Sequence, residues 1–389
     1  MKPVYLDYHA TTPVDPRVVE AMAPYFSETF GNPSSKTHRY GWDAAEGVQR
    51  AREQVAALLG ASAKEIVFTS GGTEANNLAI LGAARAARAA GGRDGIVTAA
   101  TEHSSVIDSC RYLARQGFRV TFLPVNPDGL IDLQQLADVV DDRTILVSVM
   151  AANNEIGVLQ PLEEIAAIAS SHDALLHSDC VQAAGKIPFD ARRLGIDLAS
   201  VSSHKIYGPK GVGALVVRRR KPAIPLEPLV HGGGQEQGLR PGTLNVPGIV
   251  GMGRAAEICR EELETESRRL GSLRDRLLAE LRSGLDGIDV NGSLERRLPQ
   301  NLNIRVAHVD PDALLLGLGD LAVSTGSACA SGAGEPSHVL KALGVDDARA
   351  RASIRFGLGR FTTDDDVHFA ATRLVQVVQH LRAKLHAAS

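Results

Sequence analysis

The chain has little of several things, and each shortage closes off a class of function. Of its 389 residues 4 are cysteine and one is tryptophan, and aromatics make up 4%. Cys110, Cys180, Cys259 and Cys329 stand far apart with no Cys-x-x-Cys pair. A structural zinc site is therefore not expected, and no metal is assigned to the chain itself. A net charge of −3 offers no field to attract nucleic acid or an anionic membrane, and so few aromatics leave few platforms for stacked bases. No apolar run reaches the length of a membrane-spanning helix. The opening MKPVYLDYHATTP places Asp7 where a signal peptide would be apolar. A cytoplasmic protein with reduced thiols is the expectation.

What the chain does have is an ordinary globular composition, 44% hydrophobic and 22% charged, at a length that divides naturally into two domains. From about residue 37 to 260, strand-like runs alternate with helical patterns. Val48, Ala51, Val55 and Leu58 recur at helical spacing, and the GAS after Leu59 ends that helix. EIVFTS at 65–70 reads as a strand, followed by a Gly pair opening an apolar helix. Further strands are expected at Gly95–Ala99, Arg119–Pro124, Thr144–Val149, Ala174–Ser178 and Leu198–Ser202. Such alternation predicts a mainly parallel sheet covered on both faces by helices. After Gly251 the texture changes to a long amphipathic helix and then a smaller α+β region.

Several short motifs sit just past these strands. TSGGTEANN (69–77) combines a strand, a Gly pair, Thr73 and a helix start, a form suited to a phosphate or to a glycine turn capped by Thr73. In LLHSDCVQAAGK (175–186), Asp179 ends an apolar strand as either a helix cap or a partner for a cationic ring nitrogen, with Gln182 nearby. TEHSSV offers His103, MAANNEIG offers Asn153 and Asn154, and SSHKIYGPKG (202–211) offers a lysine at a strand end. Each is ordinary alone. Together they gather a phosphate cradle, an acid for a ring nitrogen and a lysine amine at one sheet edge. These are the groups that pyridoxal 5′-phosphate (PLP) demands.

The chain also resembles the fold-type I PLP enzymes of the class V aminotransferase group, and within it the cysteine desulfurases of the NifS/IscS type. The matching segments include YLDYHATTPVDPRV, GNPSS, TSGGTEANN, HSDCVQAAGK, SSHKIYGPKGVGAL, RPGTLNV, STGSACASG and IRFGLGRFT, in order from residue 5 to about 362. The resemblance implies an α/β fold with a large, mainly parallel seven-stranded-type sheet domain (16–257). A small α+β domain (1–15 plus 258–389) would carry a cysteine loop at about 323–337. It implies that Lys205 holds PLP covalently and moves the substrate proton, that Asp179 pairs with the ring nitrogen, Gln182 with the ring oxygen, and that His103 stacks on the ring. Gly72, Thr73, Ser202 and His204 would hold the phosphate, with Thr243 reaching it from the partner of a homodimer. Arg355 and Asn154 would take the carboxylate of L-cysteine.

Cys329 would accept the sulfur as a persulfide, while alanine leaves. From there the sulfur would pass to an acceptor or scaffold protein for iron–sulfur cluster or other thio-cofactor synthesis, with Cys329 against a cluster in transfer. Selenocysteine lyase chemistry, or a class V aminotransferase with Cys329 as bystander, stays open at this level. His9 stands where many relatives have Gln or Asn.

Overall fold

The computed structural model describes residues 3–325 and 336–388. Its centre is a seven-stranded sheet. In spatial order the strands are Ile66–Thr69, Gly213–Val217, Leu198–Ser202, Leu175–Asp179, Thr144–Ser148, Gly95–Ala99 and Arg119–Leu123. From Leu198–Ser202 to the Arg119–Leu123 edge every pairing is parallel. Gly213–Val217 runs antiparallel to both of its neighbours. The reason is local: the connection Ser203–Val212 is too short for a crossover, so the chain must turn back as a hairpin.

The four inner parallel strands are buried along their whole length. That is why they read as continuous apolar or small-residue runs rather than as alternation. The helix Arg39–Leu59 ends at Gly60, which adopts a left-handed conformation at φ 64°, a backbone that glycine takes without penalty. The helix Gly72–Ala89 starts at the glycine pair. Gly72 is required there, because a Cβ would lie 2.7 Å from Val181 Cγ2.

A three-stranded antiparallel sheet, Ser353–Gly357, Asn301–Val306 and Ile288–Val290, forms a second layer. Its core joins Leu302, Ile304, Ile354 and Phe356 to Leu273, Leu277 and Leu281, and to Leu6 near the start of the chain. The long helix Val246–Gly284 links both cores. Its early residues, Ile249, Met252 and Ile258, pack with the large sheet, and its later leucines pack with the small one. The expected boundary at 257–258 thus falls within one continuous helix. Among the described residues no helix is long and apolar enough to cross a membrane.

Candidate active site

The carboxyl ends of the parallel strands open onto one cavity of about 190 Å³, the place where an open α/β sheet holds its ligand. Ten of the sequence candidates line it: Gly72, Thr73, His103, Asn154, Asp179, Gln182, Ser202, His204, Lys205 and Arg355. Thr243 does not; it sits exposed on its own chain, its expected place being a second copy's phosphate site. Cys329 lies outside the described residues.

Lys205 occupies the short turn after Leu198–Ser202, and its Nζ donates to the carbonyls of His9 (2.5 Å) and Ala10 (2.7 Å). Asp179 ends its strand and uses both oxygens. Oδ1 accepts from the Val181 N–H (3.0 Å) and Oδ2 from Asn76 Nδ2 (2.7 Å). No helix follows Asp179, because the residues after it form turns; its bond to Val181 is a turn contact rather than a helix cap, and the carboxylate borders the cavity. Asn76 also donates to Ser105 Oγ (2.8 Å), which meets His103 Nδ1 at 2.8 Å. His103 caps the helix Ser104–Arg115 through the Ser105 N–H and still borders the cavity. Asp179, Asn76, Ser105 and His103 are thus one bonded chain along the cavity wall.

Thr73 is not the cap of its helix, which starts one residue earlier with Gly71 as cap. Thr73 borders the cavity. The N–H groups of Gly72 and Thr73 precede the first intrahelical bond, Ala75 N–H to Gly71 O at 3.1 Å. First-turn N–H groups beside a glycine pair suit an anion such as phosphate. His204 meets Thr11 Oγ1 at 3.1 Å. Burial, with Lys205 and Lys210 alongside, pulls its pKa to about 4, so the ring is neutral near pH 7.

Arg355 crosses from the small sheet into the cavity with 1% of its surface exposed. Nη1 donates to the Asn154 carbonyl (2.9 Å) and Nη2 to Asp7 Oδ1 (2.6 Å). Among the described residues its Nε is buried without a partner, as is Asn154 Oδ1. A buried cation with an unused N–H costs free energy until an acceptor arrives, and a carboxylate is a suitable one. Beneath the wall, Glu102 is fully buried. Burial, with Asp179 adding to it, raises its carboxyl pKa well above the usual range.

The opening segment contributes more than the sequence reading foresaw. His9 and Ala10 line the cavity, Asp7 holds Arg355, and Thr12 Oγ1 donates to the His204 carbonyl (2.9 Å). The motif DYHATT was visible, but its partners lie far along the chain. Asn76 was also missed, although it stands one helical turn after Gly72 and so shares its face. Cys110, Cys180 and Cys259 are buried, as inert thiols should be. Burial pushes the Cys110 pKa up to about 12 and raises the other two.

An amine, a carboxylate held in orientation, an anion cradle and a buried arginine thus share one cavity at a sheet edge. The chain belongs to the class-V aminotransferase family, whose model matches residues 4–369. Within reach of that family it is similar to the cysteine desulfurase IscS of Anaeromyxobacter sp. (strain Fw109-5). The two are 55% identical over 380 residues, covering 98% of this chain and 93% of that one. It is also similar to the cysteine desulfurase IscS of Rickettsia bellii (strain OSU 85-389), at 49% identity over 98% and 92% of the two chains. Among solved structures, a NifS-like protein superposes with a TM-score of 0.89 at 39% identity, covering 97% of this chain and all of the other. A structure described as SspA in complex with cysteine gives 0.81 at 37% identity, over 92% and 99%.

Proposed function

We propose that the protein is a PLP-dependent cysteine desulfurase, taking sulfur from L-cysteine and releasing L-alanine. The observation that carries the reading is the joint presence of Lys205, Asp179 and Arg355 in one cavity of a chain similar to IscS enzymes over nearly its whole length. The donor set fits PLP: an amine for the aldehyde, an acid for the ring nitrogen, and helix N–H groups with Thr73, Ser202 and His204 for the phosphate. When bound, PLP supplies an electron sink that loosens bonds around the amino acid's α carbon.

The chain's own residues do the rest. Lys205 holds the coenzyme and moves the α proton. Asp179, kept in orientation by Asn76 and Val181, keeps the ring nitrogen protonated, and His103 covers the ring. Arg355 takes the substrate carboxylate through its fork with Asn154 beside it, which orients the Cβ–S bond. Cys329, as thiolate, then attacks the substrate sulfur. The new S–S bond forms as the Cβ–S bond breaks, and its electron pair leaves with the carbon fragment, which is protonated to alanine. The resulting persulfide is passed to a thiol of an acceptor protein, serving iron–sulfur cluster or other thio-cofactor synthesis. Thr243 completes the phosphate site of a second copy, which makes the working enzyme a homodimer.

The test is alanine formation from L-cysteine by the purified, coenzyme-loaded protein. Lys205→Ala is expected to abolish it. Wild-type alanine formation by that variant would reject the assignment.

A further inference from the structure

A directed chain of hydrogen bonds runs from the interior to the cavity and fixes which end of Gln182 faces a ligand. It begins at the buried Arg297, whose Nη1 donates to Asn301 Oδ1 at 2.9 Å. Arginine has no acceptor, so the Asn301 atom facing it must be the oxygen. The amide nitrogen of Asn301 is therefore the atom that meets the Glu155 carbonyl (3.1 Å) and His9 Nε2 (3.1 Å). A ring nitrogen facing an N–H has to accept, which places the ring proton on Nδ1. His9 Nδ1 lies 3.0 Å from Gln182 Oε1, an atom that only accepts. Gln182 Nε2 gives one N–H to the His9 carbonyl (3.0 Å). Its second N–H is left for whatever occupies the cavity that Gln182 lines.

The surroundings of His9 disfavour a second ring proton. The ring is 2% exposed. Burial first, then the basic groups Arg355, Lys205 and Lys186, outweigh the Gln182 hydrogen bond and pull the ring's pKa down to about 3. A second ring proton would point at the Asn301 N–H and meet these cations.

We propose that His9 is a positioning residue that makes Gln182 offer an N–H, never its carbonyl, to the phenolic oxygen of the coenzyme. The proposal rests on the PLP reading of the cavity given above. A donor at that oxygen favours its anionic form. The proton of the Lys205–coenzyme linkage is shared with the same oxygen, so an oxygen well stabilised as an anion lets that proton go at lower pH. Removing the donor raises the pH at which the linkage deprotonates. Asp179, His103, His204 and Arg355, which also face the cavity, are unchanged in the variants that test this.

The experiment is a spectrophotometric pH titration of the bound coenzyme, without substrate, in wild type, Gln182→Leu, His9→Phe and His9→Asn. Gln182→Leu is expected to raise the midpoint by about one pH unit, the scale of one hydrogen bond to a charged group, and His9→Phe, in which only the carbonyl of residue 9 still holds the Gln182 amide, by about half of that. His9→Asn places an amide N–H where Nδ1 stood, and its midpoint is expected to stay within about 0.3 unit of wild type, well inside that scale. Should the phenyl ring prevent folding, His9→Leu replaces it with the same expectation. The proposal is overturned when Gln182→Leu moves the midpoint and the apolar His9 variant does not, which leaves the PLP reading standing. A wild-type protein that takes up no coenzyme overturns both.

Discussion

Replacing Asp179 by asparagine probes the cavity at its most connected point. The carboxylate accepts from Val181 N–H on one oxygen and from Asn76 Nδ2 on the other. In Asp179→Asn one oxygen becomes a donor. Val181 still needs its acceptor, so the new amide nitrogen faces Asn76 Nδ2, donor against donor. Asn76 can turn its own amide over, because its Oδ1 is buried without a partner among the described residues. It then gives up Ser105 Oγ, the link to His103. Unflipped, one hydrogen bond to a charged group is lost, about 1.5–3 kcal/mol; flipped, the bond given up is the neutral Asn76–Ser105 one, about 0.5–1.5 kcal/mol. Losing the negative partner of the ring nitrogen adds about 1.4 kcal/mol for each unit by which that nitrogen's pKa falls. A total near 3 kcal/mol corresponds to roughly a 100-fold weaker hold on the coenzyme. Turnover falls further, since an unprotonated ring is a poorer electron sink. Equilibrium dialysis against PLP measures the first effect and alanine formation the second. A variant that binds the coenzyme as tightly as wild type and turns over at the same rate refutes this reasoning.

Other consequences follow from the same geometry. Arg355→Lys keeps the charge but loses the fork, and kcat/KM for L-cysteine is expected to drop about 10- to 100-fold; an unchanged value would remove Arg355 from substrate binding. His177 is fully buried in the sheet between Ser148 Oγ (2.8 Å) and Ser200 Oγ (3.0 Å), and burial lowers its pKa to about 3. Its folded pKa is below the unfolded value of 6.5, so its contribution is intact above that pH. It is lost on acidification toward pH 3, at about 1.4 kcal/mol per unit. Glu102 moves stability the opposite way, so the readout is the difference in urea midpoint slope between wild type and His177→Gln from pH 7 to 5; identical slopes would contradict the burial argument. A maleimide reagent applied to the folded protein at pH 8 is expected to spare Cys110, Cys180 and Cys259 until denaturant is added. Early labelling of any of those three, read by peptide mass, would count against their buried state.

Much of the fold was legible because its signals are local. Strands such as Gly95–Ala99 and Leu198–Ser202 stand as apolar or small-residue runs between helical patterns, and the Gly60 stop is a property of one residue's backbone. Site residues after strand ends were legible for a related reason: a parallel sheet carries all its carboxyl ends to one edge. What escaped notice depends on contacts distant in sequence. The pairing of Asp7 with Arg355, the clasp of His9 on Gln182, and the carbonyls of His9 and Ala10 on Lys205 join the first residues to later parts of the chain. No periodicity encodes such contacts. The Gly213–Val217 strand was also missed, since its place comes from the hairpin that carries His204 and Lys205.

The central claim is that Cys329 takes the sulfur of L-cysteine while Lys205 and Asp179 hold the coenzyme that loosens it. The direct measurement is the mass of the peptide containing Cys329 after one turnover with L-cysteine and rapid alkylation. The account predicts one added sulfur atom on that peptide, matched by one equivalent of alanine. Alanine formed at full yield with that peptide never gaining sulfur would contradict it.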